Sequence, residues 1–225
     1  MPAQNIYTGC LPFQLNDMDR RILAQTDEEF HLQTWDELKR IIVENNLAIL
    51  QRKPSDLVRY VAWSSQTKAA FGSITNFICQ KRLHWDPLPS SSTETGPVFA
   101  CKSPIPFEDS DDYKILRNDW PYGWTPDITH LVVWLKNRIP VNEDTGDLTP
   151  ESRHRVEDFV HKTFLDELGR TGHAKDSVLW FKNWAQLQSV RGLEHVHVLV
   201  RNVPEEIIFR WTGERRPRSC LNGRA

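Results

Sequence analysis

Net charge, paired cysteines and long apolar runs are all scarce in this sequence, and each shortage excludes a class of protein. The 225 residues carry a formal net charge of −2, so bulk charge does not mark a nucleic-acid binder, and any RNA contact needs a local basic patch. The four cysteines form no C-x-x-C pair, which argues against a cysteine-based zinc site and a disulfide framework. No apolar run is long enough to span a bilayer, and the first residues lack the pattern of a signal peptide. We therefore expect a cytoplasmic protein with reduced thiols.

The motifs of several common enzyme classes are also missing. The sequence contains no phosphate-binding G-x-x-x-x-G-K-[ST], no dinucleotide-binding G-x-G-x-x-G, and no G-x-S-x-G around any serine. These absences argue against a kinase, a dinucleotide-dependent enzyme and a serine hydrolase built on a nucleophile elbow. Ser189, in a predicted helix close to basic residues, is the serine that we keep as a candidate site residue.

Tryptophan, by contrast, is abundant. The nine tryptophans fit either a Trp-rich core or side chains that stack on a planar ligand or a base. Residues 111–138 combine an acidic segment, a rigid aromatic turn and an apolar run that ends in Lys136 and Asn137. We look for function first in this stretch.

The first part of the chain after an N-terminal arm (1–33) is expected to be helical (34–85). Capping boxes at Thr26 and Thr34, Pro54 in a first helical turn, and Gly72 followed by Ser73 predict three helices between residues 26 and 84. Proline, serine and glycine dominate residues 86–106, which we interpret as a loop.

The second part (107–213) alternates strand and helix, before a basic tail (214–225). Strands are predicted at 128–136, 178–182 and 194–201. Helices are predicted from Thr149 to Gly169, at 184–193, and from Pro204 to Gly213. This order favours an α/β fold with mostly parallel strands in one domain spanning 34–213, with α+β as the alternative.

Each predicted strand ends with a basic residue followed by asparagine, at Lys136, Lys182 and Arg201. In a parallel sheet these ends meet at the carboxyl edge, where ligands bind. Alternation places His130 and Trp134 on one face of the first predicted strand. It places Trp180 and Lys182 on one face of the second strand, and His197 and Arg201 on one face of the third. If those faces coincide, the sheet carries a surface rich in histidine, tryptophan and cations. The alternative is three ordinary strand ends whose basic residues extend into water.

Two groups of residues could carry chemistry. His195 and His197 share a strand face, where they could act as acid and base or, with His130, bind a metal ion; the alternative is a structural role in the sheet. Asp111, Asp112 and Asp119 could hold a guanidinium group, or could instead cap helices and lie solvated in loops.

At 119–123 (DWPYG) the sequence begins to resemble a known family. The stretches that carry the resemblance are TWDELKRIIVENNL (34–47), PSDLVRYVAWSSQTKAAFGSITNFICQKRLHW (54–85), DDYKILRNDWPYGWTPDITHLVVWLKNRIP (111–140), TGDLTPESR (145–153) and VLWFKNWAQLQSVRGLEHVHVLVR (178–201). The sequence is similar to a fungal family of unknown function that includes N-acetylglucosamine-induced proteins, and some members of that family are arginine-containing cyclodipeptide synthases.

The resemblance implies an enzyme of secondary metabolism that joins an arginyl group from Arg-tRNA to a second aminoacyl group and cyclises the product to a diketopiperazine. It implies tRNA as the partner, with no DNA or membrane and no cofactor or metal, because the tRNA ester is already activated. The candidate catalytic residues are Asp119, Glu194, His195 and His197. The candidate substrate-binding residues are Asp111, Asp112, Tyr122, Trp124, His130, Trp134, Trp180, Asn183 and Ser189. The candidate tRNA-binding residues are Lys136, Lys182, Arg191 and Arg201.

Two alternatives stay open at this point. One is a non-enzymatic protein of the same family that responds to N-acetylglucosamine or stress. The other is a metal-dependent hydrolase that uses His195 and His197.

Overall fold

The computed structural model describes residues 16–89, 96–172, 176–184 and 187–215. The chain packs as two compact units, which are described separately. The helical unit comprises Met1–Phe77 and Asp119–Thr125, and the sheet unit comprises Ile78–Asn118 and Pro126–Ala225. The predicted ends of the chain (1–15 and 216–225) and part of the predicted loop (90–95) lie outside the described residues.

The described residues of the helical unit contain four α-helices, and the last three begin where the sequence predicts a cap or a first helical turn. They are α1 (Asp17–Leu23), α2 (Trp35–Val43), α3 (Pro54–Phe71) and α4 (Ile74–Phe77). Thr34 and Glu37 form the predicted capping box, and Gly72 ends α3 with a φ of 77° that favours glycine. Thr26 makes the same exchange with Glu29, at 2.8 and 3.3 Å, but supports only a turn. The three helices predicted between residues 26 and 84 are therefore confirmed as α2, α3 and α4, while α1 lies in the predicted arm.

The aromatic turn 119–125 belongs to the helical unit. Three backbone hydrogen bonds hold it. The N–H of Gly123 donates to the carbonyl of Gln51 at 2.8 Å. The N–H of Gln33 donates to the carbonyl of Gly123, and the N–H of Thr125 donates to the carbonyl of Gln33, at 3.1 Å each. The Nε of Arg52 donates to the carbonyl of Trp120 at 3.2 Å. The turn is thus fixed by the helical unit, although its chain connects two strands of the sheet unit.

The sheet unit is built on four antiparallel strands. They are β1 (Tyr113–Arg117), β2 (Ile128–Leu135), β3 (Val178–Phe181) and β4 (Glu194–Arg201), in the order β1-β2-β4-β3. Every neighbouring pair is antiparallel, so the prediction of a mostly parallel sheet is wrong. The mixture of helices and sheet is confirmed.

The connections explain the direction of the strands. The helical crossover from β2 to β3 leaves these two strands running the same way, as a crossover normally does. β4 then enters between them and runs the opposite way. The prediction of parallel strands relied on a helix between β3 and β4. The described residues of that connection form turns instead, and β4 pairs antiparallel with both β2 and β3, an arrangement known as a split β-α-β unit.

Helices cover one face of the sheet. They are α5 (Pro150–Val160), a π-helical segment (His161–Leu165), α6 (Asp166–Arg170) and α7 (Glu205–Thr212). Thr149 caps α5 and Gly213 ends α7 as predicted, but the helix predicted to end at Gly169 continues to Arg170. The buried core on this face comprises Ile115, Leu131, Val133, Leu135, Ile139, Leu148, Val156, Phe159, Val160, Phe164, Val196, Val198, Val200 and Ile208.

Two further elements differ from the prediction. The sequence analysis does not predict strand β1, whose five residues (YKILR) include two basic residues and directly follow the acidic pair at 111 and 112. The helix predicted at 184–193 is not seen. Residues 187–193 form turns, and residues 185 and 186 lie outside the described part. Within the described ranges, no helix combines the length and apolarity needed to cross a bilayer.

Val156→Ala and Val43→Ala test the assignment of the core. Val156 in α5 is fully buried, whereas Val43 at the end of α2 is 85% exposed. We expect Val156→Ala to lower the free energy of unfolding by about 2 kcal/mol, from two lost methyl groups and the cavity they leave. Val43→Ala should have little effect. Urea denaturation measures both, and equal midpoints would contradict the core described above.

Candidate functional site

The register of β2 and β4 brings the predicted histidine and tryptophan side chains together. Val132 lies opposite His197, and Trp134 lies opposite His195. Side chains of paired residues share a face, so His130, Trp134, His195 and His197 lie on the sheet face opposite the helical core. The assumption that the faces of these two strands coincide is confirmed.

β3 does not follow the prediction. Trp180 lies opposite Val198, on the helix-covered face, where it packs against the core with the Arg153 guanidinium 5.8 Å from its ring centre. Phe181 instead lies opposite His197 and stacks on it at 4.8 Å. The prediction that Trp180 shares the histidine face is wrong, because the pairing register of a strand cannot be derived from its own alternation.

The basic strand ends also separate. Lys136 and Lys182 lie at the edge where β2 and β3 end, whereas Arg201 lies opposite Ile128 at the other edge. The Nζ of Lys136 is 3.6 Å from Asp112, and that of Lys182 is 3.1 Å from Glu194. Both ammonium groups are thus largely buried and neutralised by carboxylates. The prediction of a single cationic edge formed by all three strand ends is wrong. Of the four residues that we predicted to bind tRNA, Arg191 is the exposed one.

His195 is the buried histidine of this face that keeps an available ring nitrogen. Its Nδ1 donates to the carbonyl of Leu193 at 2.8 Å, so that nitrogen must carry the proton. Nε2 has no hydrogen-bond partner among the described residues. Among the described residues, two polar side-chain atoms are fully enclosed and have no hydrogen-bond partner, Oδ1 of Asn137 and Oε1 of Glu194. Nε2 of His195 is not one of them, so this nitrogen retains some exposed surface.

Burial keeps His195 neutral. It is only 5% exposed, and this burial lowers its pKa below the ordinary value. The hydrogen bond to Leu193 and the charge of Glu194 act in the opposite direction, and Lys182 and Arg138 lower the pKa further. The ring is neutral at physiological pH, and Nε2 presents a lone pair. This is the state that a general base requires.

His130 and His197 form a buried row with two asparagines. Nε2 of His130 lies 2.8 Å from Nδ1 of His197. Nδ2 of Asn118 lies 3.1 Å from Nδ1 and 3.3 Å from Nε2 of His130, and Nδ2 of Asn183 lies 3.2 Å from Nε2 of His197. We call these four residues the Asn–His–His–Asn row.

The proton positions in the row are coupled. If both amides donated to the outer ring nitrogens, both histidines would place a hydrogen in the 2.8 Å contact between them. In a neutral row, one asparagine amide must therefore donate through its NH2 group and the other must accept through its oxygen. Rotating an asparagine amide by 180° exchanges these two groups, so either asparagine can take either role. His197 is then committed at both nitrogens, and this leaves His195 as the candidate base of the pair.

Glu194 is a poor base. It lies on the helix-covered face, 8% exposed, and one oxygen of its carboxylate lies 3.4 Å from the backbone nitrogen of Ile139. The other oxygen is 3.1 Å from the Lys182 ammonium but lacks hydrogen-bond geometry. Glu194 thus serves as the ion-pair partner of Lys182. Ser189, also a predicted site residue, is exposed in a turn.

The predicted acidic residues occupy different positions. Asp112 is buried, and its carboxylate accepts from the backbone nitrogens of Lys102 (3.0 and 2.8 Å) and Ser103 (2.8 Å). Burial alone raises the pKa of Asp112, but these hydrogen bonds and the Lys136 charge lower it by more. Asp112 thus anchors the loop, and we no longer assign it to a guanidinium. Asp111 is exposed and pairs with Lys102, whereas Asp119 is exposed in the helical unit.

Two predicted aromatic residues also belong to the helical unit. Tyr122 is half-buried and meets Trp124 edge-on at 5.9 Å, and Trp124 is buried in a bridge with Gln33. Sequence reasoning missed two residues of the sheet unit, Asn118 and Leu193. Asn118 is next to the aromatic turn, and Leu193 acts through its backbone carbonyl, which leaves no signal in the sequence.

A metal centre is not preformed around the histidines. Across residues 16–89, 96–172, 176–184 and 187–215, no group of three or more His, Cys, Asp or Glu side chains is placed to hold a metal ion. Nitrogens of His130 and His197 face one another at hydrogen-bonding distance instead.

Comparison with known proteins identifies the family. Residues 34–201 match the model of DUF3605, a family described as protein of unknown function. The chain belongs to the DUF3605 family. The matched range includes the whole sheet and the Asn–His–His–Asn row.

Two curated relatives are fungal. N-acetylglucosamine-induced protein 1 of Candida albicans is 29% identical over 183 residues, which cover 78% of this chain and 70% of the relative. The uncharacterized protein YPL067C of Saccharomyces cerevisiae is 30% identical over 184 residues, covering 81% of this chain and 86% of the relative. The predicted resemblance to a fungal family of unknown function with N-acetylglucosamine-induced members is thereby confirmed for this DUF3605 protein.

A solved structure shares the fold. The crystal structure of HTC1 superimposes with a TM-score of 0.58 at 29% identity, covering 77% of this chain and 86% of HTC1. None of these three names states a catalytic activity, so the link of this DUF3605 chain to cyclodipeptide synthesis stays a prediction.

The coupling within the Asn–His–His–Asn row makes a prediction about tautomers. In a neutral row His130 and His197 must carry the same tautomer, either both Nε2–H or both Nδ1–H, because a mixed pair leaves two hydrogens or none in the central contact. Nitrogen-15 NMR of the histidine side chains at neutral pH measures this. Opposite tautomers on the two rings would contradict the row.

Asp112→Asn makes a prediction about acid stability. The folded pKa of Asp112 is lowered from its ordinary value of 3.8, so its stabilisation is present above that pH and is lost as pH falls through the folded pKa. The variant should lose about 2 kcal/mol of unfolding free energy at pH 7 and show a shallower loss below pH ~4. Asp111→Asn is the matched control, because its exposed pair with Lys102 contributes little. Identical urea midpoints for the two variants at pH 7 would exclude the anchoring role.

Proposed function

We propose that this DUF3605 protein is an aminoacyl-tRNA-dependent cyclodipeptide synthase that joins an arginyl group to a second aminoacyl group. The observation that carries the proposal is the neutral, buried His195, whose Nε2 is available while Nδ1 is held by Leu193. Acyl transfer from a tRNA ester needs such a base to take a proton from the attacking amine. The resemblance of the sequence to arginine-containing cyclodipeptide synthases supports the choice of reaction.

In the first step the α-amine of one aminoacyl ester attacks the carbonyl carbon of the other. A C–N bond forms, the C–O bond to the ribose of the second tRNA breaks, and a dipeptidyl-tRNA results. His195 Nε2 takes the amine proton and returns it to the leaving ribose oxygen. Proton balance therefore requires no other acid, and the ester supplies the energy that ATP would otherwise provide.

The second step repeats this chemistry within one molecule. The free amine of the dipeptidyl-tRNA attacks its own ester carbonyl, closes the six-membered diketopiperazine ring and releases the remaining tRNA, which carried the attacking aminoacyl group in the first step. Alignment of amine and ester dominates such a cyclisation, so a rigid wall beside the base is valuable. Trp134, whose ring centre lies 4.9 Å from that of His195, is the residue that we assign to this wall.

The remaining roles follow from exposure and charge. Arg191 is exposed, so we assign it to the phosphates of the tRNA acceptor end, in place of the neutralised Lys136 and Lys182. Asp111 is an exposed carboxylate of the sheet unit, and we assign it to the arginyl guanidinium, which replaces Lys102 as its ion-pair partner. We propose the cytoplasm as the compartment, because charged tRNA is made there.

The decisive experiment reconstitutes the reaction. The protein is incubated with arginyl-tRNA synthetase, the other aminoacyl-tRNA synthetases, tRNA, ATP and all amino acids, and mass spectrometry looks for cyclo-Arg-Xaa. Ribonuclease should abolish the product because the substrate is an ester of tRNA. Product that survives ribonuclease would exclude the proposed substrate.

His195→Gln tests the assigned base. The variant should lose about 100-fold or more in the rate of product formation, because glutamine cannot accept the amine proton. His154→Gln is the matched control, since His154 is an exposed histidine of α5. Circular dichroism checks that both variants fold. Similar rates for the two variants would remove His195 from the mechanism.

One observation favours a second candidate function. The Candida albicans relative is named for its induction by N-acetylglucosamine, which fits a regulatory protein of the response to that sugar. This alternative predicts no cyclic dipeptide in the reconstituted reaction with any combination of aminoacyl-tRNAs.

A further inference from the structure

We propose that Arg138 and Gly96 are positioning residues for His195, acting through the backbone of Gly192 and Leu193. The consequence for catalysis rests on the proposed function, whereas the structural role of the two residues does not. We call residues 192 and 193 the carbonyl shelf, since both of their backbone carbonyls are used.

The shelf determines which nitrogen of His195 is reactive. The Leu193 carbonyl accepts from Nδ1 at 2.8 Å, and this bond leaves Nε2 with the lone pair. Leu193 itself is buried, so its carbonyl cannot move without disturbing packing. If the carbonyl moved away from Nδ1, the neutral ring would be free to place its proton on Nε2 instead. The base would then present an N–H where it needs a lone pair.

Arg138 holds the shelf from one side. Its Nη2 donates to the carbonyl of Gly192 at 3.0 Å, one residue before the carbonyl that His195 uses. Arg138 follows β2 closely, and β2 pairs with β4, so this contact ties the approach to β4 to the strand beside it. The guanidinium is planar and charged, so its hydrogen bond to a carbonyl is stronger than one from a neutral donor.

Gly96 supports the shelf from another side. A Cβ atom at this position would lie 2.5 Å from the Gly192 oxygen, 2.8 Å from its Cα and 3.0 Å from its carbonyl carbon. The obstructing atoms are backbone, which cannot rotate away as a side chain can. Gly96 also has a φ of 84°, which side chains rarely tolerate. Only glycine therefore allows the loop to lie directly against Gly192.

The charges around His195 agree with this arrangement. Trp134 and His197 face its ring, and the charged groups that act on it are Glu194, Lys182 and Arg138. Glu194 raises the pKa of His195, whereas Lys182 and Arg138 lower it. Arg138 thus favours the neutral ring while it holds the backbone that orients that ring.

Nitrogen-15 NMR of the full chain tests the inference, because it reports the tautomer of His195 without any product. The wild-type protein should show His195 as Nδ1–H. Gly96→Ala and Arg138→Gln should each move intensity to the Nε2–H form. Arg138→Lys should restore Nδ1–H, since the charged lysine side chain is longer than glutamine and can still donate to Gly192. Gly146→Ala is the control, because Gly146 has a similar φ of 70° with no atom within 4 Å of an added Cβ.

The outcomes separate this inference from the proposed function. A tautomer shift in Gly96→Ala and Arg138→Gln, absent in Gly146→Ala, supports the positioning role even if no cyclic dipeptide is ever made. Wherever activity is present, its rate should fall in the same two variants. Pure Nδ1–H in both folded variants would overturn the inference, and if Gly96→Ala does not fold, Arg138→Gln and Arg138→Lys decide alone.

Discussion

The antiparallel pairing of β2 with β4 is the constraint on which the rest of the sheet unit depends. These eight-residue strands pair along their whole length, and both are buried over nearly all their residues. Because a shift of one residue would turn every side chain to the other face, this register is strongly specified by the apolar core on the helix side. The same register places Trp134 beside His195 and brings His130 to His197 on the opposite face.

Burial then decides the state of each polar group in this region. Taking a charge out of water is costly unless a partner compensates, and the charged residues here obey that rule. Lys182 is paired with Glu194, and Lys136 with Asp112. His130 and His197 bond to each other. His195 differs because only one of its nitrogens is used, so its desolvation leaves an available lone pair.

Much of the fold follows from local signals. Thr34, Thr149, Gly72 and Gly213 begin or end helices through hydrogen bonds and backbone angles that involve a few neighbouring residues, so the sequence predicts them well. β4 is predicted with its observed bounds because its alternation is complete. Strand direction failed, because pairing partners lie far apart in the chain and β4 enters between two strands that precede it. Trp180 was misplaced for the same reason.

The candidate site likewise combines features that local sequence determines with features that depend on contacts between remote segments. The sequence by itself determined the residue types and their parity, so that His195 and His197 had to share a face with each other and with whatever paired beside them. Only the tertiary structure decided that both ring nitrogens of His197 are occupied, by His130 and Asn183. It also decided that Lys136 pairs with the buried Asp112 and Lys182 with the buried Glu194. It also decided that the carbonyl of Leu193 orients His195. The physical reason is that hydrogen-bond partners and desolvation depend on distances between segments that are remote in the chain, whereas alternation along a strand depends only on the strand itself.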